Sequence, residues 1–379
     1  MKKLLLAAVT AVVAISCCAC GGTGSDKVKI GFIGNLSGDY KFYGEQVKMG
    51  ADLALKEINQ NGGILGRQAE FVVKDDAGQT AQATQVYSQI KGQVCAIVGP
   101  VLSGTSEAVA NLANADGLAM ITPSGSAESL TKDRDYVFRS CLTDPSQGKY
   151  LYNFAKEQEY NNVYVLQNTG SAYSTGIVNT FKAETEKEGA TVSIVGTGTY
   201  TDQTITNMIA SLVTNIQEAN PDAILCPDYV QINQIIVKEV RKVNKDVVFL
   251  GADGWDGVLD DVADADKALY NGCYFTNNLF SGDTDEKIQN FYAAFKKEYP
   301  DTTISAFAAL AYDTVYMVKE AITNAGSTDK KAVRDALASI NFVGATGRIT
   351  FDAQGNPSRE VPIILLKDGV PTLVKKVTE

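Results

Sequence analysis

The sequence has no histidine at all and a single tryptophan in 379 residues. Without histidine, Ser-His and Cys-His catalysis lose their base, and zinc loses its commonest protein ligand. There is no GxSxG turn and no phosphate loop ending in Lys-Ser or Lys-Thr. Gly196-Thr197-Gly198 is half of a dinucleotide fingerprint, with Thr201 where a third glycine belongs. No nucleophile–base arrangement remains, so the expectation is a protein that is not an enzyme and takes no cofactor and no metal. Basic charge is also short: 34 Lys and Arg against 44 Asp and Glu leave a formal net charge of −10. That balance argues against nucleic acid or an anionic surface as partner. Cysteine is sparse after the start of the chain, where Cys95, Cys141, Cys226 and Cys273 form no CxxC pair. Each lies in or beside an apolar strand-like run and reads as a buried free thiol, with no disulfide signalled by spacing.

What is present begins with Met1-Lys2-Lys3, an apolar run over 4–15, and small residues around Cys17-Cys18-Ala19-Cys20-Gly21-Gly22. These are the three parts of a secretory signal. The run is too short for a permanent membrane span, which needs roughly 20 residues. Cysteine at the cut makes it look like a bacterial lipoprotein signal, in which that cysteine is diacylated. Cys20, between Ala19 and Gly-Gly, is the expected site, with Cys17 as the alternative. Residues 1–19 are then signal and 20–27 a small, polar tether. Removing Lys2 and Lys3 with the signal takes the formal charge from −10 to −12. The body is expected outside the cell membrane, lipid-anchored to it.

That body is long enough for two domains. A β-rich run at 28–33 precedes a helical pattern at 43–59, with Val47, Ala51, Ala54, Leu55 and Ile58 on one face and Asn61-Gly62-Gly63 stopping it. Strands at 69–74, 94–98 and 119–121 alternate with helices at 80–90 and 103–115. After Asp144-Pro145-Ser146 the rhythm restarts: strands at 163–166, 192–195, 223–225 and 247–250, helices at 174–188 and 231–243, and between them Ile205, Ile209, Leu212 and Ile216 marking another. The fold class is therefore α/β, with two doubly wound parallel-sheet lobes. The final third differs. Helices at 285–297, 306–324 and 330–340 have no strands between them and are expected to pack back on the first lobe. Strands at 347–351 and 361–367 are expected to pair around a turn at 352–357.

In open α/β sheets ligands lie beyond the carboxyl ends of the strands. The loops there, at 35–44, 99–106 and 122–126, are rich in hydroxyls and small residues, and Lys41 is their one base. Helix N-termini in such loops suit a carboxylate. Ser103 reads either as a helix cap or as a ligand contact. The second half offers Ala172-Tyr173-Ser174, Pro227-Asp228-Tyr229 and the segment 251–255, where Asp253 is either a turn former or a ligand acid.

Several segments together carry a family resemblance. They are Ile30-Gly31-Phe32 with Leu36-Ser37-Gly38 and Tyr43-Gly44, the run Asn61-Gly62-Gly63-Ile64-Leu65-Gly66-Arg67, Asp75-Asp76, and Ile121-Thr122-Pro123-Ser124. Phe138-Arg139 with Asp144-Pro145-Ser146-Gln147-Gly148 and Ala308-Ala309-Leu310-Ala311-Tyr312 complete the set. In this order and spacing they resemble the leucine/isoleucine/valine-binding lipoproteins of ABC importers, type I periplasmic binding proteins, from residue 28 to about 375. The resemblance implies two lobes joined by a three-crossover hinge, residues 28–143 plus 277–348 in one and 144–276 plus 349–379 in the other. It implies that Ser103 takes an amino acid α-carboxylate, that Ser124 and Ser126 hold both carboxylate and ammonium, and that Asp253 pairs with the ammonium. Tyr173 would close the cleft, Tyr43, Leu102, Phe307 and Tyr229 would line the side-chain pocket, and Trp255 would narrow it or fill the core. The family's best-known members carry a disulfide at the places of Gly78 and Leu102, both replaced here. The implied function is capture of branched-chain or other apolar amino acids by a monomer. It would deliver them to membrane permease subunits driven by a separate ATPase. An aromatic acid, short amide or urea, or a ligand-sensing role, is the alternative.

Overall fold

The computed structural model describes residues 27–378, and the expected lipoprotein signal with Cys17 and Cys20 lies outside them. In the first lobe the chain alternates β1 (Val28–Gly34), α1 (Lys41–Gln60), β2 (Ala69–Asp75), α2 (Thr80–Ile90), β3 (Ile97–Val98), α3 (Ser103–Ala115), β4 (Met120–Thr122) and β5 (Val137–Arg139). All five strands are parallel, in the order β2-β1-β3-β4-β5. Helices on both faces explain why β1 is apolar almost throughout instead of alternating. Ile30 and Phe32 pack with Val47, Ala51 and Ala54 of α1, while Ile33 packs with α2 and α3 on the other side.

The chain then crosses over through α4 (Asp144–Glu157) into a second series. It runs β6 (Asn162–Asn168), α5 (Ala172–Thr185), β7 (Ser193–Tyr200), α6 (Ile205–Ala219), β8 (Ala223–Leu225), α7 (Val230–Val240), β9 (Val248–Gly251) and β10 (Cys273–Thr276). From β10 it returns through α8 (Glu286–Glu298), α9 (Ala306–Ala325) and α10 (Lys330–Ala338) to the first lobe. There α9 lies along α1 so closely that any side chain at Gly50 would overlap the Ala308 carbonyl. The hydroxyls of Tyr312 and Tyr316 both donate to Glu57, at 2.6 and 2.8 Å.

The end of the chain departs from the sequence expectation. β12 (Gly347–Thr350) pairs with β11 (Asn341–Gly344) in a two-stranded ribbon. β13 (Val361–Lys367) instead joins β10, and β14 (Val370–Val377) joins β13, both antiparallel. The second sheet is thus seven-stranded, in the order β14-β13-β10-β9-β8-β6-β7. Residues between β12 and β13 stay with the first lobe: the rings of Phe351 and Phe138 are 5.2 Å apart, and Arg139 N donates to the Gly355 carbonyl at 3.1 Å. The boundary expected at residue 349 therefore comes later, where β13 enters the second sheet.

Three crossovers thus join the lobes, around 140–143, 277–285 and 352–360, and Arg359 sits where they meet. Half-buried, it donates to the carbonyls of Ser140, Asn278 and Thr346. Burial lowers its pKa to about 10. Cys95, Cys141, Cys226 and Cys273 are buried free thiols. Among the described residues no helix is long and apolar enough to cross a membrane.

Candidate functional site

Strand-end loops of both lobes converge on one small cavity. The first lobe lines it with Tyr43 of α1, Val101 and Leu102 ahead of α3, Ser124 and Ser126 after β4, and Phe307 of α9. The second supplies Tyr173 of α5, Tyr229 ahead of α7, and Asp253 with Gly254 after β9. The enclosed space is about 20 Å³, room for about one water.

On the first side the polar groups brace one another. Ser103 is the first residue of α3, and it makes no cap bond to its own helix. Its Oγ instead accepts from Ser126 N at 3.2 Å and Ala127 N at 3.3 Å and lies 3.4 Å from Ser126 Oγ. The cap alternative is thereby set aside, and Ser103 stands directly behind Ser126, next to the cavity lining. Ser124 Oγ donates to the Val101 carbonyl at 2.7 Å, and Thr122 Oγ1 donates to the Pro100 carbonyl at 2.6 Å. The result is a rigid pair of loops at the N-terminus of α3, whose first-turn amides carry partial positive charge.

Facing it is Asp253, buried at the head of a short 3₁₀ turn. Oδ1 accepts from Gln147 Nε2 at 3.1 Å and Oδ2 from Asn278 Nδ2 at 3.0 Å. The backbone N of Asp253 donates to Gln147 Oε1 at 2.9 Å. Burial pushes the carboxyl above its usual range, while the donors Gln147, Tyr173 and Asn278 pull it back. Among the described residues no cation is hydrogen-bonded or ion-paired to this buried carboxylate, whose bonded partners are neutral, so it is ready to accept one.

Between these poles lies an aromatic wall. Tyr173 and Tyr229 stack with ring centres 5.2 Å apart and 18° between planes, and Tyr43 lies 5.2 Å from both Tyr229 and Phe307. Tyr43 also bridges the lobes: its hydroxyl donates to the Gly254 carbonyl at 2.7 Å and accepts from Val230 N at 2.9 Å. Tyr173 OH accepts from Gly254 N at 2.8 Å. Leu102 fills the space beside Gly78, where an added Cβ would stand 3.2 Å from Leu102 Cδ1.

Trp255 is not part of this site. It is fully buried in the second lobe, its Nε1 donating to the Cys226 carbonyl at 2.7 Å and its ring 5.9 Å from Phe249. One turn of 3₁₀ helix aims Asp253 at the cleft and swings the indole into the core, where Gly251 leaves room that any side chain would take. Other residues of the site escape a reading of the sequence. Gln147 and Asn278 grip Asp253 from 106 and 25 positions away, and an amide carries no pattern that marks it. Asp144, wholly buried at the start of α4, donates its backbone N–H to the Ser126 carbonyl at 2.9 Å. Burial drives its carboxyl far up. In the sequence, Asp144-Pro145-Ser146 marks where the second series begins and belongs to a resembling segment, with no role at the site assigned to its acid. Among the described residues no group of three or more His, Cys, Asp or Glu is arranged to hold a metal ion.

The sequence profile described as "Periplasmic binding protein" matches residues 27–369. The Leu/Ile/Val-binding protein BraC3 of Rhizobium johnstonii is 28% identical over 333 residues, covering 87% of this chain and 88% of its own. The crystal structure of the branched-chain amino acid transporter substrate-binding protein LivJ from Streptococcus pneumoniae, in complex with isoleucine, superposes with a TM-score of 0.84. It is 30% identical and covers 93% of this chain and 99% of its own. A solute-binding protein of an ABC transporter from R. palustris, in complex with benzoate, shares the fold at a TM-score of 0.82 and 20% identity, with 93% and 96% covered. With one parallel-sheet lobe, a second lobe whose sheet is parallel except for β13 and β14 at its edge, a triple crossover and a cleft lined from both sides, the chain belongs to the periplasmic binding protein family, in its type I form.

Proposed function

We propose that the protein is the extracytoplasmic solute-binding component of an ABC importer, capturing branched-chain or other apolar α-amino acids by cleft closure. The observation that carries this reading is polarity split across one cavity. Hydroxyls and a helix N-terminus stand on the first lobe, a cation-seeking acid on the second, and aromatic and aliphatic groups between them. An α-amino acid is a zwitterion with an apolar branch, and each part has a counterpart here. The carboxylate would take the amides and hydroxyls of Ser103, Ser124 and Ser126, the ammonium would take Asp253, and the branch would lie against Tyr43, Leu102, Tyr229 and Phe307 with Tyr173 closing over it. Charge-assisted bonds of this kind strengthen where water is excluded. Because the two charged ends are gripped from different lobes, the solute binds the closed arrangement better than the open one and shifts the population toward it. A cavity of about 20 Å³ admits such a solute only after the lobes part. The closed, loaded form would then dock on membrane permease subunits as a monomer, tethered through a lipid on Cys20 (alternatively Cys17).

A second reading is a monocarboxylate, as in the benzoate-bound relative, or a short amide or urea. It uses one pole only and leaves Asp253 without a cation. Thermal unfolding with the twenty amino acids, benzoate, short amides and urea separates the two. A cognate ligand at 100 times its Kd adds about 2.7 kcal/mol of stability. Stabilisation by leucine, isoleucine or valine is the expected result; stabilisation by benzoate, amides or urea alone would overturn the assignment.

A further inference from the structure

Asn278 lies in the second crossover, two residues beyond β10, buried and polar. Its side chain works in two directions. Nδ2 donates to Asp253 Oδ2 at 3.0 Å, and Oδ1 accepts from Leu142 N, in the first crossover, at 2.9 Å. Its carbonyl accepts from Arg359 Nη2, of the third crossover, at 3.2 Å, and the same guanidinium reaches the Ser140 carbonyl in the first. One residue therefore touches all the strands that join the lobes and, with its one remaining end, the acid of the cleft. An amide has distinct donor and acceptor ends. With Oδ1 fixed by a backbone N–H, only Nδ2 is free to face Asp253, and it can meet only an acceptor there.

We infer that Asn278 is the positioning residue that couples the hinge to Asp253, holding its carboxylate ionised and aimed at the ligand ammonium when the crossovers are in the closed arrangement. This rests on the amino acid reading above. The groups facing Asp253 leave that task to neutral donors. Tyr43 of α1, Cys141 of the first crossover, Asp144 of α4, Tyr173 of α5, Tyr229 ahead of α7 and Asp256 of its own turn are phenols, a thiol and acids. Arg359 is the cation among them, and its Nη1 and Nη2 are engaged with backbone carbonyls. When the lobes rotate, Leu142 and Arg359 move against Asn278, and the bond to Asp253 goes with them.

Calorimetric titration with isoleucine at pH 8 and pH 5 tests this on the mature chain and on Asn278→Ser. The variant is expected to bind at least tenfold more weakly at pH 8. Its additional loss between pH 8 and pH 5 should be at least threefold larger than that of the unmodified protein, because a carboxyl with one donor fewer protonates sooner. Affinity within twofold of the unmodified chain, or parallel losses on acidification, would reduce Asn278 to a structural role and overturn the inference. Asn278→Asp provides a second arm that keeps the acceptor for Leu142. Its affinity should be low at pH 8, where two carboxylates face each other, and recover toward pH 5 as the introduced carboxyl gains a proton to donate. If Asn278→Ser does not fold, absence of that recovery overturns the inference. An unmodified protein that ignores isoleucine at both pH values refutes the functional reading itself, a result distinct from either variant's behaviour.

Discussion

At the scale of single residues, Asp253 is the sharpest test. Asp253→Asn preserves shape and one acceptor but removes the charge that an ammonium needs. A hydrogen bond to a charged group is worth about 1.5 to 3 kcal/mol, so isoleucine affinity should fall roughly 10- to 150-fold in calorimetry while the unliganded protein keeps its circular dichroism spectrum. The acid's raised carboxyl also fixes the sign of proton linkage. A bound ammonium favours the ionised form, so binding expels protons wherever the free carboxyl is partly protonated. Affinity declines as pH drops. The loops that hold Ser103 and Asp253 were legible as strand ends, but chain chemistry left Ser103 between cap and ligand contact and Asp253 between turn former and ligand acid, and only the family resemblance favoured the second reading of each. Trp255 was not placed, because nothing in a linear order tells which side of a tight turn becomes core. Asn278 went unnoticed, and Gln147 stood only as one residue of a resembling segment with no role, for a plainer reason: they matter through approach in space, and neutral amides leave no periodic trace.

At the scale of elements, one buried and one half-buried acid fasten helices and loops. Asp228 accepts from Tyr200 OH and Tyr229 N, both at 2.8 Å, ahead of α7. Asp256 Oδ2 accepts from Ala306 N at 2.6 Å, so the second lobe supplies an acceptor at the start of α9 in the first. Ser305, the residue at the N-cap, makes no such bond with its side chain. Burial raises both acids to about 7. Their unfolded values are near 3.9, so the stability linked to each is complete below that and is lost as pH climbs toward 7. Acids nearer the surface such as Asp116 and Asp283, lowered by lysine partners, act oppositely, but their window lies below pH 4. Scanning calorimetry of the unliganded protein should therefore find a melting temperature a few degrees higher at pH 5.5 than at pH 8. Asp256→Asn, which retains an acceptor for Ala306, should flatten that slope. Most helices and the parallel strands were readable from periodicity, since local pattern and tertiary burial agree there. The last strands were not: β12 and β13 look alike as short β-rich runs, and their partners are chosen by which sheet edge lies open. A usable hint was the Asp368-Gly369 pair between β13 and β14, both at positive φ (53° and 75°), a turn that suits a tight hairpin.

For the whole molecule the relevant quantity is the balance between open and closed lobes. Tyr43 contributes two bonds from the first lobe to the second, and Gln231 Nε2 returns one to the Asp39 carbonyl at 3.0 Å. Tyr43→Phe removes both of its bonds and leaves the ring contacts. At about 1 kcal/mol each, isoleucine affinity should fall roughly 5- to 30-fold, chiefly through faster dissociation in stopped-flow measurements. Small-angle scattering should show a larger radius of gyration for the unliganded variant than for the unmodified protein. The two-lobe plan was legible in the restart of the βα rhythm after residue 144. The late return of residues 351–357 to the first lobe was not, because it depends on Phe351 finding Phe138 rather than on any pattern of its own. The four enclosed cysteines have a practical corollary. A thiol that solvent cannot touch reacts with an alkylating reagent only when the surrounding structure loosens. Cys95 belongs to one lobe and Cys226 and Cys273 to the other, so the sequence in which they acquire label is a clock that reports which half breathes first.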